Sequence, residues 1–174
     1  QYIGKNEYDF ELEKTKDMTV LLPKMQKALH SKKAATVEVN VTNIDRSLGT
    51  IFGSEITKKY DDTLEDDMYT VKCYGSGGQS FGAFIPKGMT MELTGDSNDY
   101  LGKGLSGGKI IVRPPKESTF KQDENIIIGN VAFYGATSGQ AYINGVAGER
   151  FCVRNSGISA AVSYTHLTLP TNPR

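Results

Sequence analysis

The chain is poor in the residues that most often carry chemistry. In 174 residues it has two cysteines, two histidines, six prolines and no tryptophan, and its 20 basic residues are matched by 20 acidic ones. Cys73 and Cys152 are far apart, with no CxxC pair and no Cys/His cluster, so neither a structural zinc site nor a cysteine-held iron–sulfur centre can be built from this chain alone. Both lie in strand-like runs and read as small buried apolar residues. His30 falls in a Lys-rich helical segment and His166 near the end, neither beside a nucleophile, which gives a catalytic triad no foothold. Zero net charge argues against a nucleic-acid binder. No apolar run approaches the length of a membrane span. The glycosylation triplet at Asn40 has no signal peptide before it and is read as chance. The expectation is an intracellular protein, cytoplasmic or plastid, that binds neither nucleic acid nor membrane.

Glycine, by contrast, is plentiful and unevenly spread. Of 19 glycines, 16 lie between Gly75 and Gly157. They separate short β-prone runs at Met89–Leu93, Lys109–Arg113, Asn125–Ile128, Ala141–Ile143, Arg150–Arg154 and Ile158–Val162. With a further run at Thr70–Tyr74, the strand starts recur at a step of about twenty residues, the period of a coiled parallel sheet whose turns stack on one another. Each turn must bend at the same place, and where the bend needs φ > 0 a residue with a Cβ is penalised by roughly 1–2 kcal/mol while glycine is not. Collagen is excluded, since it needs glycine at every third position and abundant proline. A β-sandwich is the structural rival. The fold expected is mostly β, a right-handed parallel β-helix preceded by a small α/β segment.

That segment reads as a helix over Met18–Lys33 with Pro23 in its first turn, a strand over Thr36–Thr42, and a helix over Ser47–Tyr60 capped by Asp45. Gly49 and Gly53 lie four apart on this second helix and predict close packing against that face. The chain begins on Gln1 rather than Met, and its last stretch, SYTHLTLPTNPR, abandons the glycine spacing. It therefore divides into a weakly ordered lead-in (1–17), a helix–strand–helix segment (18–67), a truncated glycine-rich β-helix (68–162) and a non-native tail (163–174).

Three features invite a catalytic or binding reading. Gly102-Lys103-Gly104-Leu105-Ser106-Gly107 is a literal GxGxxG, but a strand and Pro114-Pro115 follow it, so no helix can open there to receive a phosphate. Asp96 and Asp99, with Asn98, could start a calcium loop or a carboxylate pair, and read better as turn chemistry. Arg150 and Arg154 share one side of an expected strand and read as a solvated edge. No catalytic, cofactor-binding or metal-binding residue is assigned.

Several stretches resemble the glutamate synthase large-subunit family. They are Asn43–Gly49 (NIDRSLG), Gly75–Phe84 (GSGGQSFGAF), Gly95–Gly108 (GDSNDYLGKGLSGG), Ile128-Gly129-Asn130, Tyr134–Gly139 (YGATSG) and Gly148–Gly157 (GERFCVRNSG). The similarity covers about residues 20–162 and departs at Gly77, where the family usually has Ala, and at Gln140, where Glu is frequent. The resemblance implies the family's C-terminal glycine-rich (GXGXG) β-helix domain, incomplete and without catalytic groups. The parent enzyme makes two glutamates from glutamine and 2-oxoglutarate. It does so with an amidotransferase domain and a domain bearing FMN and an iron–sulfur cluster, and FAD and NAD(P)H serve the electron-donating part. Those domains of the same polypeptide are the expected partners, and the pyridine-nucleotide-dependent branch looks nearer than the ferredoxin-dependent one. A free-standing β-helix that binds or cleaves carbohydrate through Asp96, Asp99 and surface tyrosines is the alternative. A third is a glycine-rich subunit of a formylmethanofuran-type dehydrogenase.

Overall fold

A computed structural model describes Gly4, residues 9–121 and residues 124–165. Residues 166–174, which include His166 and most of the expected tail, lie outside the described residues, as does most of 1–8. The first element is a short 3-10 turn, Leu12–Lys14. One wide π turn, Asp17–Leu21, then runs into helix α1, Leu22–Ser31, with Pro23 in the opening turn. Strand β1 (Ala35–Val41) and helix α2 (Thr50–Tyr60) follow. The remaining strands are β2 (Tyr69–Gly77), β3 (Met89–Ser97), β4 (Ser106–Arg113), β5 (Val131–Ala132), β6 (Ser138–Ala147), β7 (Arg150–Phe151) and β8 (Ser159–Thr165).

The protein is mostly β, built on one six-stranded sheet in the order β1-β2-β3-β4-β6-β8, with every neighbouring pair parallel. Thr70 pairs with Thr90 and Thr90 with Lys109, so the step of about twenty residues read from the glycines is the register of the sheet. β1 belongs to the same sheet, with Val37 opposite Val71. The interval is longer between β1 and β2, where Val37 meets Val71 and helix α2 lies in the connection, and between β4 and β6, where Ile110 meets Ala141. In the second case the extra length includes a loop after Arg113, and the sheet closes again beyond it because both ends of the insertion return to paired backbone.

Strand alternation sorts the side chains by face. Val37, Val71, Met91, Ile110 and Ala141 form one buried row, and Val39, Cys73, Leu93, Val112 and Ile143 form the next. The outward face begins charged, with Glu38, Lys72 and Glu92 in register, and becomes apolar at Ile111, Tyr142 and Ala161.

The connections between the strands are bonded to each other as well. Gly82 N donates to Leu48 O, Gly102 N to Phe81 O, Phe133 N to Leu101 O, and Cys152 N to Ala132 O. A second line runs the other way, from Phe84 N to Lys103 O, Gly104 N to Tyr134 O and Gly135 N to Val153 O. The short β5–β7 pair lies within this bonded region. Leu48, Phe81, Leu101, Ala132 and Phe151 are among the buried residues of these turns. Polar backbone that a loop would normally show to water is thus paired turn to turn.

Glycine is indispensable at Gly95. A Cβ there would lie 1.8 Å from the carbonyl oxygen of Gly75, and the backbone is left-handed at φ +148°. The bends are not otherwise reserved for glycine. One recurring left-handed position holds Gly82, Gly102, Phe133 and Cys152, and a second holds Phe84, Gly104, Gly135 and Arg154. Phe133 tolerates φ 55° because its ring is fully buried and packs edge-on against Phe151 at 5.6 Å.

Several boundaries differ from those read in the sequence. The run Asn125–Ile128 makes only isolated bridges, from Ile126 to Val146 and from Ile128 to Ser97. The Arg150–Arg154 strand stops at Phe151, because Cys152 and Arg154 are left-handed and turn the chain away. Helix α2 starts at Thr50 and is not capped by Asp45. Asp45 instead accepts from Thr42 N at 2.8 Å and pairs with Lys16. The close packing expected at Gly53 is present, with Pro86 Cδ 2.9 Å from the position of an added Cβ. β8 continues to Thr165, three residues into the stretch read as a tail.

Candidate functional site

The residues singled out for chemistry do not converge. Asp96 accepts from the Ser76 hydroxyl at 2.8 Å. Asp99 receives the backbone N–H of Val131 at 3.3 Å, while its own carbonyl receives Ser80 N. Asp96 lies within strand β3 and bonds across to β2, not in the turn read from the sequence, because the β2–β3 pairing runs on to Ser97. Asp99 sits in a turn, as read, and ties it to the next connection. His30 is exposed on α1, with Nδ1 2.7 Å from Gln26 O. Arg150 lies in β7 and Arg154 in the turn beyond it, so they do not share a strand face. No group of three or more His, Cys, Asp or Glu side chains among the described residues could hold a metal ion.

The GxGxxG stretch is filled by the protein itself. Gly102, at φ 59°, faces the Phe133 ring 2.5 Å from an added Cβ, Gly104 faces Phe84 at 2.3 Å, and Gly107 faces Lys87 N at 2.9 Å. β4 begins at Ser106, so a strand follows the turn, as expected, and no helix N-terminus points into it. These glycines make room for neighbouring turns, which leaves no cradle for a phosphate.

The two thiols are inert by environment. Cys73 is buried in the sheet's inner rows and Cys152 is partly covered in a turn, and both are free. Burial pushes each thiol up to about 12, so the reactive thiolate is scarce at neutral pH. An iron–sulfur cluster needs several cysteines at one place, and these residues do not fit one.

The polar contacts that carry weight were the ones least visible in the sequence. Asp17, at the end of the expected weakly ordered lead-in, is 2% exposed. Its carboxylate accepts from Gly49 N at 2.9 Å and Phe52 N at 2.9 Å, which places it at the N-terminus of α2 in the role expected of Asp45. Burial raises its pKa, and the backbone donors pull against that rise. Asp67 accepts from Thr90 at 2.6 Å and pairs with Lys109 at 2.7 Å, and the Lys109 ammonium and the Thr90 hydroxyl together hold its carboxyl below the ordinary value. An acid at Asp17 in front of an apolar helical run is a signal that sequence could have offered. The helix it caps, though, begins at Thr50, 33 residues later, beyond the reach of a local capping rule.

Two grooves remain. One, of 410 Å³, opens on the outward face of the sheet between Ile111, Tyr142 and Ala161, with Arg113 at its rim. The other, of 680 Å³, lies under Pro114 and Pro115 beside Tyr74, Thr94 and Arg113. Arg113 is engaged with Glu92 at 3.1 Å. The first groove is lined mainly by apolar residues with Arg113 as its one charged group, and the second also has Lys116 and Glu117 in its wall. No helix among the described residues is long and apolar enough to cross a membrane.

Comparison with known proteins gives a consistent answer. The GXGXG motif family model matches residues 17–166. The chain is 56% identical over 153 residues, 87% of its length, to the glutamate synthase [NADPH] large chain of Bacillus subtilis. It is 51% identical over 143 residues, 82% of its length, to the glutamate synthase [NADH] of Schizosaccharomyces pombe. To the ferredoxin-dependent glutamate synthase 2 of Synechocystis it is 46% identical over 134 residues, 77% of its length. It spans only 10%, 7% and 9% of those three relatives. The match reaches residue 166, slightly beyond Val162, where the resemblance read from the sequence ends. With a parallel sheet in the period of its glycines and this likeness over most of its length, the chain belongs to the GXGXG motif family, as the domain of that kind found in glutamate synthase large chains.

Proposed function

We propose that this domain is a non-catalytic spacer between the working parts of a glutamate synthase, and that its fold is a right-handed parallel β-helix. The observation that carries the reading is the continuity of backbone hydrogen bonding, through the six parallel strands and through both lines of turn-to-turn bonds. To bend such an object, several of these bonds must break together. The right hand follows from the strong preference of parallel crossover connections for it. The stacked part runs over 68–162, with 18–67 as the segment that leads into it and covers its first turns. The apolar part of the outward face, at Ile111, Tyr142 and Ala161, supports packing against another part of the same polypeptide.

The whole enzyme's reaction, transfer of the glutamine amide nitrogen to 2-oxoglutarate with reduction to glutamate, needs ammonia to pass from an amidotransferase domain to an FMN-bearing one. A rigid spacer fixes the distance and angle between the two sites, which is how positioning contributes to coupled chemistry. FMN, the iron–sulfur cluster, FAD and the nicotinamide nucleotide belong to other parts of the polypeptide or its partners. The nicotinamide-dependent type is the parent we favour.

The test uses the 174-residue chain. It is expected to purify colourless, to bind no flavin, and to hydrolyse no glutamine. A yellow protein with stoichiometric FMN, or glutaminase turnover above buffer, counts against the proposal.

A further inference from the structure

The C-terminal ends of α1 and α2 meet at one aromatic ring. Tyr60, the last residue of α2, donates its hydroxyl to the carbonyl of Leu29 in α1. Lys32 and Lys59 each bring an ammonium to 5.5 Å from the centre of that ring. Both are exposed, and neither enters an ion pair among the described residues. Lys33 lies next to Lys32, also exposed, and Lys58 next to Lys59 is paired with Glu55 at 2.6 Å.

Lysines at helix C-termini offset the carbonyl end of the dipole, and that alone would explain a basic residue here. It does not explain the residue at position 32. Lys32 closes α1 in the left-handed conformation at φ 52°, with its N–H and that of Lys33 both on Ala28 O. That is the position where glycine is the usual choice, because a Cβ is strained there. A lysine held in a strained cap, over a ring that a second lysine also faces, makes a preorganised pair of cations.

We infer that this double-lysine face around Tyr60 is a docking surface for an acidic segment of a protein. Cation–π contact orders the two ammonium groups without neutralising them, so they stay available to a carboxylate. With a net charge of zero the chain has no long-range pull on a nucleic acid, which disfavours that class of partner. Asp61 and Asp62 follow Tyr60 directly and are exposed, so an acidic segment must seat its carboxylates on the lysines and clear of these two residues. The inference goes beyond the spacer reading and does not depend on it.

The experiment measures binding of fluorescent poly-L-glutamate to the 174-residue chain at about 50 mM salt, where screening is weak. The variants are Lys32→Gly, Lys59→Gln, their combination, and the exposed loop control Lys116→Gln. Lys32→Gly relieves the cap and should raise the melting temperature while weakening binding about threefold. The double variant should weaken it about tenfold, and Lys116→Gln should change nothing. The inference is overturned by absence of binding to the parent chain, by a double variant that binds as the parent does, or by equal loss in Lys116→Gln. Tighter binding of a single-stranded oligonucleotide than of poly-L-glutamate overturns it as well.

Discussion

At the scale of the residue, Asp17 connects the entry of the chain to helix α2. Replacing it with Ala leaves the N–H groups of Gly49 and Phe52 buried without an acceptor, a loss of about 1–3 kcal/mol readable by urea denaturation. Asp17→Asn keeps an acceptor and removes the charge. Because the folded pKa of Asp17 lies above 3.8, the folded state holds its proton more tightly than the unfolded state. Its contribution is therefore full below the unfolded value and is lost as pH rises through the folded one. Asp17→Asn should equal the parent in stability near pH 4 and exceed it at pH 7. A parent that gains on the variant as pH rises would reverse the assignment. The thiols give a simpler test. With both pushed to about 12, iodoacetamide at pH 7.5 should label the native chain far more slowly than the chain in urea.

At the scale of the element, two glycines separate steric from conformational demand. Gly95→Ala drives a methyl into a backbone carbonyl that cannot move without breaking the β2–β3 pairing, and should cost more than about 3 kcal/mol. Gly135→Ala meets nothing within 4 Å, so only its φ of +65° opposes it, and about 1 kcal/mol is expected. Thermal unfolding of both variants checks the ranking. The strands themselves were legible in the sequence, because β-branched runs such as Lys109–Arg113 are bracketed by glycine and recur at a fixed interval. What escaped was set by distant partners. β5 is two residues long and exists only through its pairing with β7, itself shorter than the run read at Arg150–Arg154. The cap of α2 comes from Asp17 rather than from the nearby Asp45, and left-handed Phe133 is held by burial that no local rule registers. Among the site residues, the turn position of Asp99 was readable from Asn98, whereas Gly95 misled for Asp96, which stays in β3 because the pairing with β2 runs on to Ser97. The Lys32–Tyr60–Lys59 arrangement was not, since it joins the ends of two helices.

At the scale of the whole molecule, parallel strands and bonded turns make one cooperative unit out of repeats that could not stand singly. The apolar rows run unbroken through β1 to β6, and the helices close over the first of them through Leu21, Met25, Leu29, Phe52 and Ile56. The proposed spacer role concerns the enzyme around this domain, so the decisive measurement belongs there. Free ammonia released per glutamine hydrolysed should be followed in a whole glutamate synthase carrying Gly95→Ala, beside the parent and Gly135→Ala, at a temperature where all three remain folded. The spacer account predicts that Gly95→Ala retains glutaminase activity and flavin but leaks ammonia to the solvent, while Gly135→Ala stays coupled like the parent. Full coupling in Gly95→Ala, with its stacked sheet shown to be disrupted, would contradict the account.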